Sequence, residues 1–217
     1  MQAIIPQIRS EYTFPDPKNA DDYGLLAWGG DINPDRLLLA YKMGIFPWYN
    51  EEDPVLWWSP NPRLVLYPQK VKISKSLRRN LKKFEIRYNT NFKKVVEKCR
   101  DVRVDNGEKS WIHDEVIKSY TTLHQRGFAI SSESYIDNEL VGGVYGVSIG
   151  NIFFGESMFQ TKSDASKAAF VSLCKKLHLD GCKVIDCQVE TKHLVSLGAQ
   201  LISRDKFLDM IKDNINV

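Results

Sequence analysis

The chain has 217 residues, of which 43% are hydrophobic and 26% are charged, and its formal net charge is +3. This composition excludes a disordered chain. The length and apolar content are sufficient for one globular domain with a sizeable core, alone or with a second, small domain. No stretch approaches the length of an apolar membrane-spanning helix, so we expect a soluble protein.

We expect no signal peptide, because Pro6 and Arg9 interrupt the apolar run at the N-terminus. The four cysteines lack CxxC spacing, and the four histidines are scattered along the chain. We therefore expect reduced thiols, no metal ion, and a cytoplasmic location without membrane association.

Residues 1–62 are predicted to be loops with one helix. Asn33 is a good N-cap for that helix, Pro34 suits its first position, and Gly44 suits the residue just beyond its end. The stretch rich in proline and tryptophan that follows cannot form a long helix. We place a domain boundary near Pro62, which gives a small N-terminal domain at 1–62 and a larger domain at 63–217.

The charge is distributed unevenly. Between Lys70 and Arg103 there are thirteen basic and three acidic residues. Leu77, Leu81 and Phe84 have helical spacing, so a helix should pack through them and project its basic residues outward. These are Lys75, Arg78, Arg79, Lys82 and Lys83, which we call the basic segment. It is either a solvated helix face or a surface for a polyanion, and without a phosphate-binding loop nucleic acid is the favoured partner.

The rest of the chain predicts an α+β fold. Two helices, over NFKKVVEKCRDV and from Asp114 to Gly127, precede three strand-like runs separated by tight turns, which predicts an antiparallel meander. A helix from about Asp164 to Leu177, the strand KVIDCQVE and a short helix ending at Gly198 follow. This order is typical of an acetyltransferase-like (GNAT-type) domain. The junction FQTKSDAS has no glycine for a coenzyme A pyrophosphate loop.

Seven segments have a characteristic order and spacing: GLLAWGGDINPDRLLLAYKMGIFPW, LWWSPNPR, LVGGVYGV, FFGESMF, DASKAAF, IDCQV and HLVSLGA. Over nearly its whole length the chain resembles the bacterial leucyl/phenylalanyl-tRNA–protein transferases. The resemblance implies that Leu or Phe moves from Leu-tRNA or Phe-tRNA to the α-amine of a protein beginning with Arg or Lys. The product would carry an N-terminal degradation signal. It implies no metal, nucleotide or coenzyme A cofactor, and we expect a monomer.

The resemblance also implies a binding site for the charged 3′ end of the tRNA. Residues that match the family's adenosine site are Trp48 and Trp111, although Trp48 could instead pack in its proline-rich loop. The pocket for the amino-acid side chain would consist of Val144, Phe153, Met158, Phe170, Leu173 and Ile185. These apolar residues could equally be ordinary core.

Three polar residues are the candidate catalytic groups. Glu156 lies in an apolar strand beside Gly155, which permits close backbone approach, so it is either an outward strand residue or an acid that holds substrate. Asp186 and Gln188 should share one face of a strand end. The family's proposed relay gives them the central role, but an amide is a poor base, so we expect Gln188 to orient substrate and Asp186 to hold Gln188. Cys187, on the opposite face, should be inert.

The strand-like stretch ISSESY departs from the family pattern at Ile130, Ser132 and Tyr135 but keeps Glu133. These departures put in doubt any role for the histidine that the family has there, while the reaction class is unaffected. Two alternatives to the transferase stay open: a coenzyme A-dependent N-acetyltransferase and an RNA-binding module without catalysis.

Overall fold

The computed structural model describes residues 5–9 and 13–215. Part of the N-terminal stretch considered for a signal peptide, residues 1–4 and 10–12, lies outside the described residues. The strands are β1 Gln7–Ile8, β2 Leu25–Gly29, β3 Phe46–Pro47, β4 Leu56–Trp58, β5 Arg63–Leu66, β6 Glu85–Tyr88, β7 Ala129–Ile136, β8 Glu139–Ile149, β9 Ile152–Gln160, β10 Val184–Gln188 and β11 Gln200–Ile202. The α-helices are α1 Pro34–Lys42, α2 Lys75–Asn80, α3 Phe92–Asp105, α4 Asp114–Gln125, α5 Ala165–Leu179, α6 Lys192–Ser196 and α7 Arg204–Asn214.

The N-terminal part contains a four-stranded sheet of order β1-β2-β4-β3. The prediction of loops here was wrong, because strands of two to five residues are too short to show an alternating pattern. The predicted helix is confirmed as α1. The Asn33 side chain accepts hydrogen bonds from the N–H groups of Asp35 and Arg36, and Gly44 has the positive φ, 74°, that its position requires.

The larger sheet has the order β11-β5-β10-β9-β8-β7-β6. Strands β7, β8 and β9 form the predicted antiparallel meander. Helix α5 then crosses over to β10, which pairs in parallel with β9. The α+β class with an acetyltransferase-like C-terminal part is therefore confirmed.

The basic segment forms a shorter helix than its spacing predicts. Helix α2 ends at Asn80 and a 3₁₀ turn follows over Leu81–Lys83. Leu77 is buried, but Leu81 and Phe84 are only half-buried. Like charges three and four residues apart destabilise a longer helix, since the segment has no acid to offset them. Its five basic side chains are all exposed.

The larger sheet has a hydrophobic cluster on each face. One face packs against the N-terminal sheet and helices α1, α3, α4 and α7, and the other packs against α5. Trp57 and Phe207 lie in the first cluster, so one core connects the two ends of the chain. Among the described helices, none combines the length and hydropathy needed to span a bilayer.

Candidate active site

The site lies where β9 and β10 separate. These two strands pair only from Val184 to Asp186 against Ile152 to Phe154. Beyond that point a cleft of about 420 Å³ opens between them. It is lined by Phe46, Pro47, Trp48, Arg103, Trp111, Val144, Gly155, Glu156, Ser157, Met158, Phe170, Ile185, Cys187, Gln188, Val189, Thr191, His193 and Leu194.

A β-bulge in β9 places Glu156 at the floor of the cleft. On the neighbouring strand β8, Tyr145 pairs with Ser157 and Gly146 pairs with Gly155, so Glu156 is the extra residue. The bulge explains how an acid in an apolar strand comes to line the cleft. A Cβ at Gly155 would lie 3.3 Å from the Asp186 carbonyl oxygen, which agrees with the close approach inferred for this glycine.

Two buried tyrosines hold the Glu156 carboxylate. The Tyr41 hydroxyl donates to Oε1 at 2.7 Å, and the Tyr120 hydroxyl donates to Oε2 at 2.9 Å. The two hydroxyls also contact each other. Burial raises the pKa of Glu156 from its ordinary 4.5 to about 7, although both tyrosine hydrogen bonds oppose the rise. The carboxyl group can therefore take up or release a proton near neutral pH.

A second bulge, in β10, presents Gln188. Asp186 pairs with Val65 and Gln188 pairs with Leu64, so Cys187 is the extra residue. Gln188 has a φ of 62°, in the left-handed region that residues other than glycine rarely adopt. Its side-chain Nε2 donates to Glu156 Oε1 at 3.2 Å. The two bulges thus bring together side chains from two strands that are separating.

Asp186 is below the cleft and does not line it. The carboxylate is fully buried and forms a bidentate ion pair with Arg63, from Nε to Oδ1 at 2.8 Å and from Nη2 to Oδ2 at 2.6 Å. Asp186 Oδ1 also accepts the backbone N–H of Gln188 at 2.9 Å. Asp186 therefore contacts the Gln188 backbone, while the Gln188 amide is directed to Glu156. Cys187 lies in the cluster beneath α5, and burial raises its pKa well above the ordinary value.

The apolar end of the cleft contains most of the residues predicted for the amino-acid pocket. Val144, Met158, Phe170 and Ile185 line it. Phe153 and Leu173 do not line it and lie in the core cluster beneath, so for these two residues the pocket prediction was wrong. Phe153 pairs with Ile185 before the strands separate, and Leu173 is nearly a turn beyond Phe170 along α5, away from the cleft.

Both predicted tryptophans lie at the mouth of the cleft. Trp48 is 49% exposed, and its carbonyl oxygen accepts a hydrogen bond of 2.7 Å from the Trp58 indole. Trp111 is half-buried and precedes α4. An exposed indole ring held by its own backbone can stack on a flat ring. The basic segment does not line the cleft.

Sequence reasoning missed several residues of the site. Tyr41 and Tyr120 have helical spacing typical of core residues, and Arg63 follows a proline-rich turn, so no local pattern distinguishes them. Arg103 and His193 also line the cleft. Burial lowers the pKa of His193, which keeps its imidazole neutral.

The residues that depart from the family pattern belong to β7 and do not line the cleft. Glu133 is buried and accepts hydrogen bonds from the Thr90 hydroxyl, the Asn91 N–H, and the hydroxyls of Ser131 and Tyr135. These contacts fix the start of α3 against β7. Ile130, Ser132 and Tyr135 do not line the cleft.

Comparison with known proteins connects this geometry to one family. A family model described as leucyl/phenylalanyl-tRNA protein transferase matches residues 65–212, and a model of the N-terminal domain of that family matches residues 30–61. A leucyl/phenylalanyl-tRNA–protein transferase from Sulfurimonas denitrificans is 50% identical over 216 residues, which cover 99% of this chain and 95% of the relative. One from Legionella pneumophila is 51% identical, over 95% of this chain and 93% of the relative. The solved structure of the PaiA N-acetyltransferase from Thermoplasma acidophilum in complex with coenzyme A overlaps 45% of this chain and 75% of its own, at 13% identity. The TM-score of this overlap is 0.34.

Proposed function

The chain belongs to the leucyl/phenylalanyl-tRNA–protein transferase family and is a tRNA-dependent aminoacyltransferase, and from this premise we propose its acceptors and its site residues. Leucine or phenylalanine moves from its tRNA to the α-amine of a protein that begins with Arg or Lys. The product then carries an N-terminal signal for degradation. The enzyme works in the cytoplasm as a monomer of two domains, 1–62 and 63–217, without membrane association.

The observation that carries the site assignment is the contact between Glu156 and Gln188 at the floor of the cleft. The terminal adenosine of the tRNA stacks on Trp48 and Trp111 at the mouth. The Leu or Phe side chain enters the apolar end, where a hydrophobic pocket discriminates weakly between side chains of similar size. The ester carbonyl then lies near the polar pair.

The reaction needs a neutral attacking amine and a place for the proton it loses. The acceptor nitrogen attacks the ester carbonyl carbon, the new C–N bond forms, and the bond to the tRNA 3′ oxygen breaks. The proton leaves the nitrogen and finally resides on that oxygen. A carboxyl group with a pKa of about 7 suits the transient acceptor of this proton, so we assign this role to Glu156. Gln188 orients the amine or the ester carbonyl through its amide.

The basic segment binds the tRNA body. None of its five side chains lies within 4.0 Å of an acid among the described residues, so all are available to phosphate oxygens. The basic segment does not line the cleft, so it can bind the tRNA body whichever amino acid the tRNA carries.

The alternative of a coenzyme A-dependent acetyltransferase has a specific difficulty. In such enzymes the pyrophosphate would lie at the start of α5, where this chain has Asp164. Hydrogen bonds from Asn80 and Lys167 lower the pKa of Asp164, so an ionised, ion-paired carboxylate occupies this position in place of the glycine-rich loop that binds a pyrophosphate.

The test uses radiolabelled Leu-tRNA and two acceptor proteins that differ only in residue one, Arg or Gly. We expect label on the Arg protein alone. Gln188→Ala should lower the rate of transfer while tRNA binding is unchanged, and Gln200→Ala, on the exposed edge strand β11, is the matched control. Label on neither acceptor, with tRNA still bound, would overturn the proposal in favour of an RNA-binding module.

A further inference from the structure

Arg63 is a buried arginine that does not line the cleft but pairs with Asp186, two residues before Gln188. It is the first residue of β5 and only 1% exposed. Its guanidinium carbon lies 4.7 Å from the ring centroids of both Phe46 and Phe207. Phe46 also lines the cleft, whereas Phe207 belongs to the C-terminal helix α7. The two rings therefore restrict the orientation of the guanidinium group that pairs with Asp186.

The ion pair connects the restrained guanidinium of Arg63 to the bulge in β10. The guanidinium of Arg63 bonds both carboxylate oxygens of Asp186, which sets the orientation of that carboxylate. Asp186 Oδ1 then accepts the Gln188 N–H. Gln188 needs such a contact, because its φ of 62° is disfavoured for a residue with a side chain.

We propose that Arg63 is a positioning residue for aminoacyl transfer: through Asp186 it holds the Gln188 backbone in its left-handed conformation and so directs the Gln188 amide to Glu156. This inference rests on the proposed function of the cleft. It assigns Asp186 a geometric role, since its carboxylate is neutralised by Arg63 and has no surface in the cleft.

Arg63→Lys separates geometry from charge. Lysine keeps the positive charge beside Asp186 but cannot form two parallel hydrogen bonds. Gln188 should then leave its conformation, and a misplacement of this kind lowers kcat by about 10²-fold. Binding of a leucyl-adenosine amide, which cannot transfer its amino acid, should change less than about twofold, because the tryptophans and the apolar pocket are intact.

The matched control is Arg36→Lys. Arg36 is equally buried, at 1% exposure, and pairs with Asp31, and neither residue lines the cleft. Both variants should lose some thermal stability, so all rates are expressed per folded enzyme. Only Arg63→Lys should lose kcat.

A second pair of variants tests the backbone contact directly. Asp186→Asn keeps an oxygen that can accept the Gln188 N–H, whereas Asp186→Leu keeps none. We expect Asp186→Asn to retain at least about tenfold more activity than Asp186→Leu. Equal losses in this pair, or equal kcat in Arg63→Lys and Arg36→Lys, would overturn the positioning role. A wild-type enzyme without transfer would instead overturn the proposed function.

Discussion

Replacing Glu156 with glutamine should remove a pH dependence from the stability of the fold. The pKa of Glu156 is about 7 in the folded protein, against an ordinary 4.5, because the carboxylate is buried. Below pH 4.5 both folded and unfolded states are protonated and the wild type has its full stability. As the pH rises towards 7 the unfolded state ionises first, so stability falls, and above 7 there is no further change.

The size of this effect follows from the two pKa values. Their separation corresponds to about 3 kcal/mol of unfolding free energy, lost mostly between about pH 5 and pH 7. Glutamine cannot ionise and retains an oxygen for the Tyr41 hydroxyl. The unfolding free energy of Glu156→Gln should therefore rise relative to wild type by about this amount as the pH increases.

Urea unfolding of both proteins from pH 4 to pH 8 measures this difference, and other titrating groups cancel in the comparison. A difference in unfolding free energy that is the same at every pH reflects only altered hydrogen bonds, so the change of that difference with pH is the quantity that tests the pKa. A difference that stays within about 1 kcal/mol across the range would refute the raised pKa, and with it the assignment of Glu156 as proton acceptor.

Two further predictions concern the donor tRNA. Trp48→Ala should raise the KM for an aminoacyl-tRNA or a short aminoacylated 3′ fragment by roughly tenfold to a hundredfold, because the variant cannot stack on the terminal base. Steady-state kinetics with the short fragment would measure it. Arg78→Gln with Arg79→Gln should reduce the salt dependence of tRNA binding, by about 0.7–0.9 in log–log slope for each phosphate that is no longer neutralised, without changing transfer from the short fragment.

Each of these predictions has a control on the same chain. Trp28→Ala removes a similarly exposed indole away from the cleft, and should leave KM unchanged. Lys206→Gln with Lys212→Gln removes two positive charges from α7, away from the basic segment. An equal change in KM for the two tryptophan variants, or an equal change in salt slope for the two double variants, would contradict the assigned surfaces.

Helices and turns whose geometry is set by residues adjacent in the sequence were predictable from the sequence. Helix α1 begins at Pro34 because the side chain of its N-cap, Asn33, accepts hydrogen bonds from the first turn. The β7–β8 hairpin turns at Asp137 and Asn138, which adopt positive φ readily. The motif around Glu156 directed attention to β9, and Glu156 does line the cleft. The short N-terminal strands were missed, because they are stabilised by pairing with distant segments and have no periodicity of their own.

Only the tertiary structure decided which residues face the cleft. The β9 bulge forms where β9 pairs with the preceding strand β8, and the β10 bulge forms where β10 pairs with β5, near the other end of the chain. The cleft opens where β9 and β10 stop pairing with each other. Likewise, Phe170 lines the cleft and Leu173 does not, although both are apolar residues of α5. The ion pair of Arg63 with Asp186 joins residues 123 positions apart. A pattern read along the chain records which residues are apolar or charged, whereas contacts across the sheet determine which of them line the cleft.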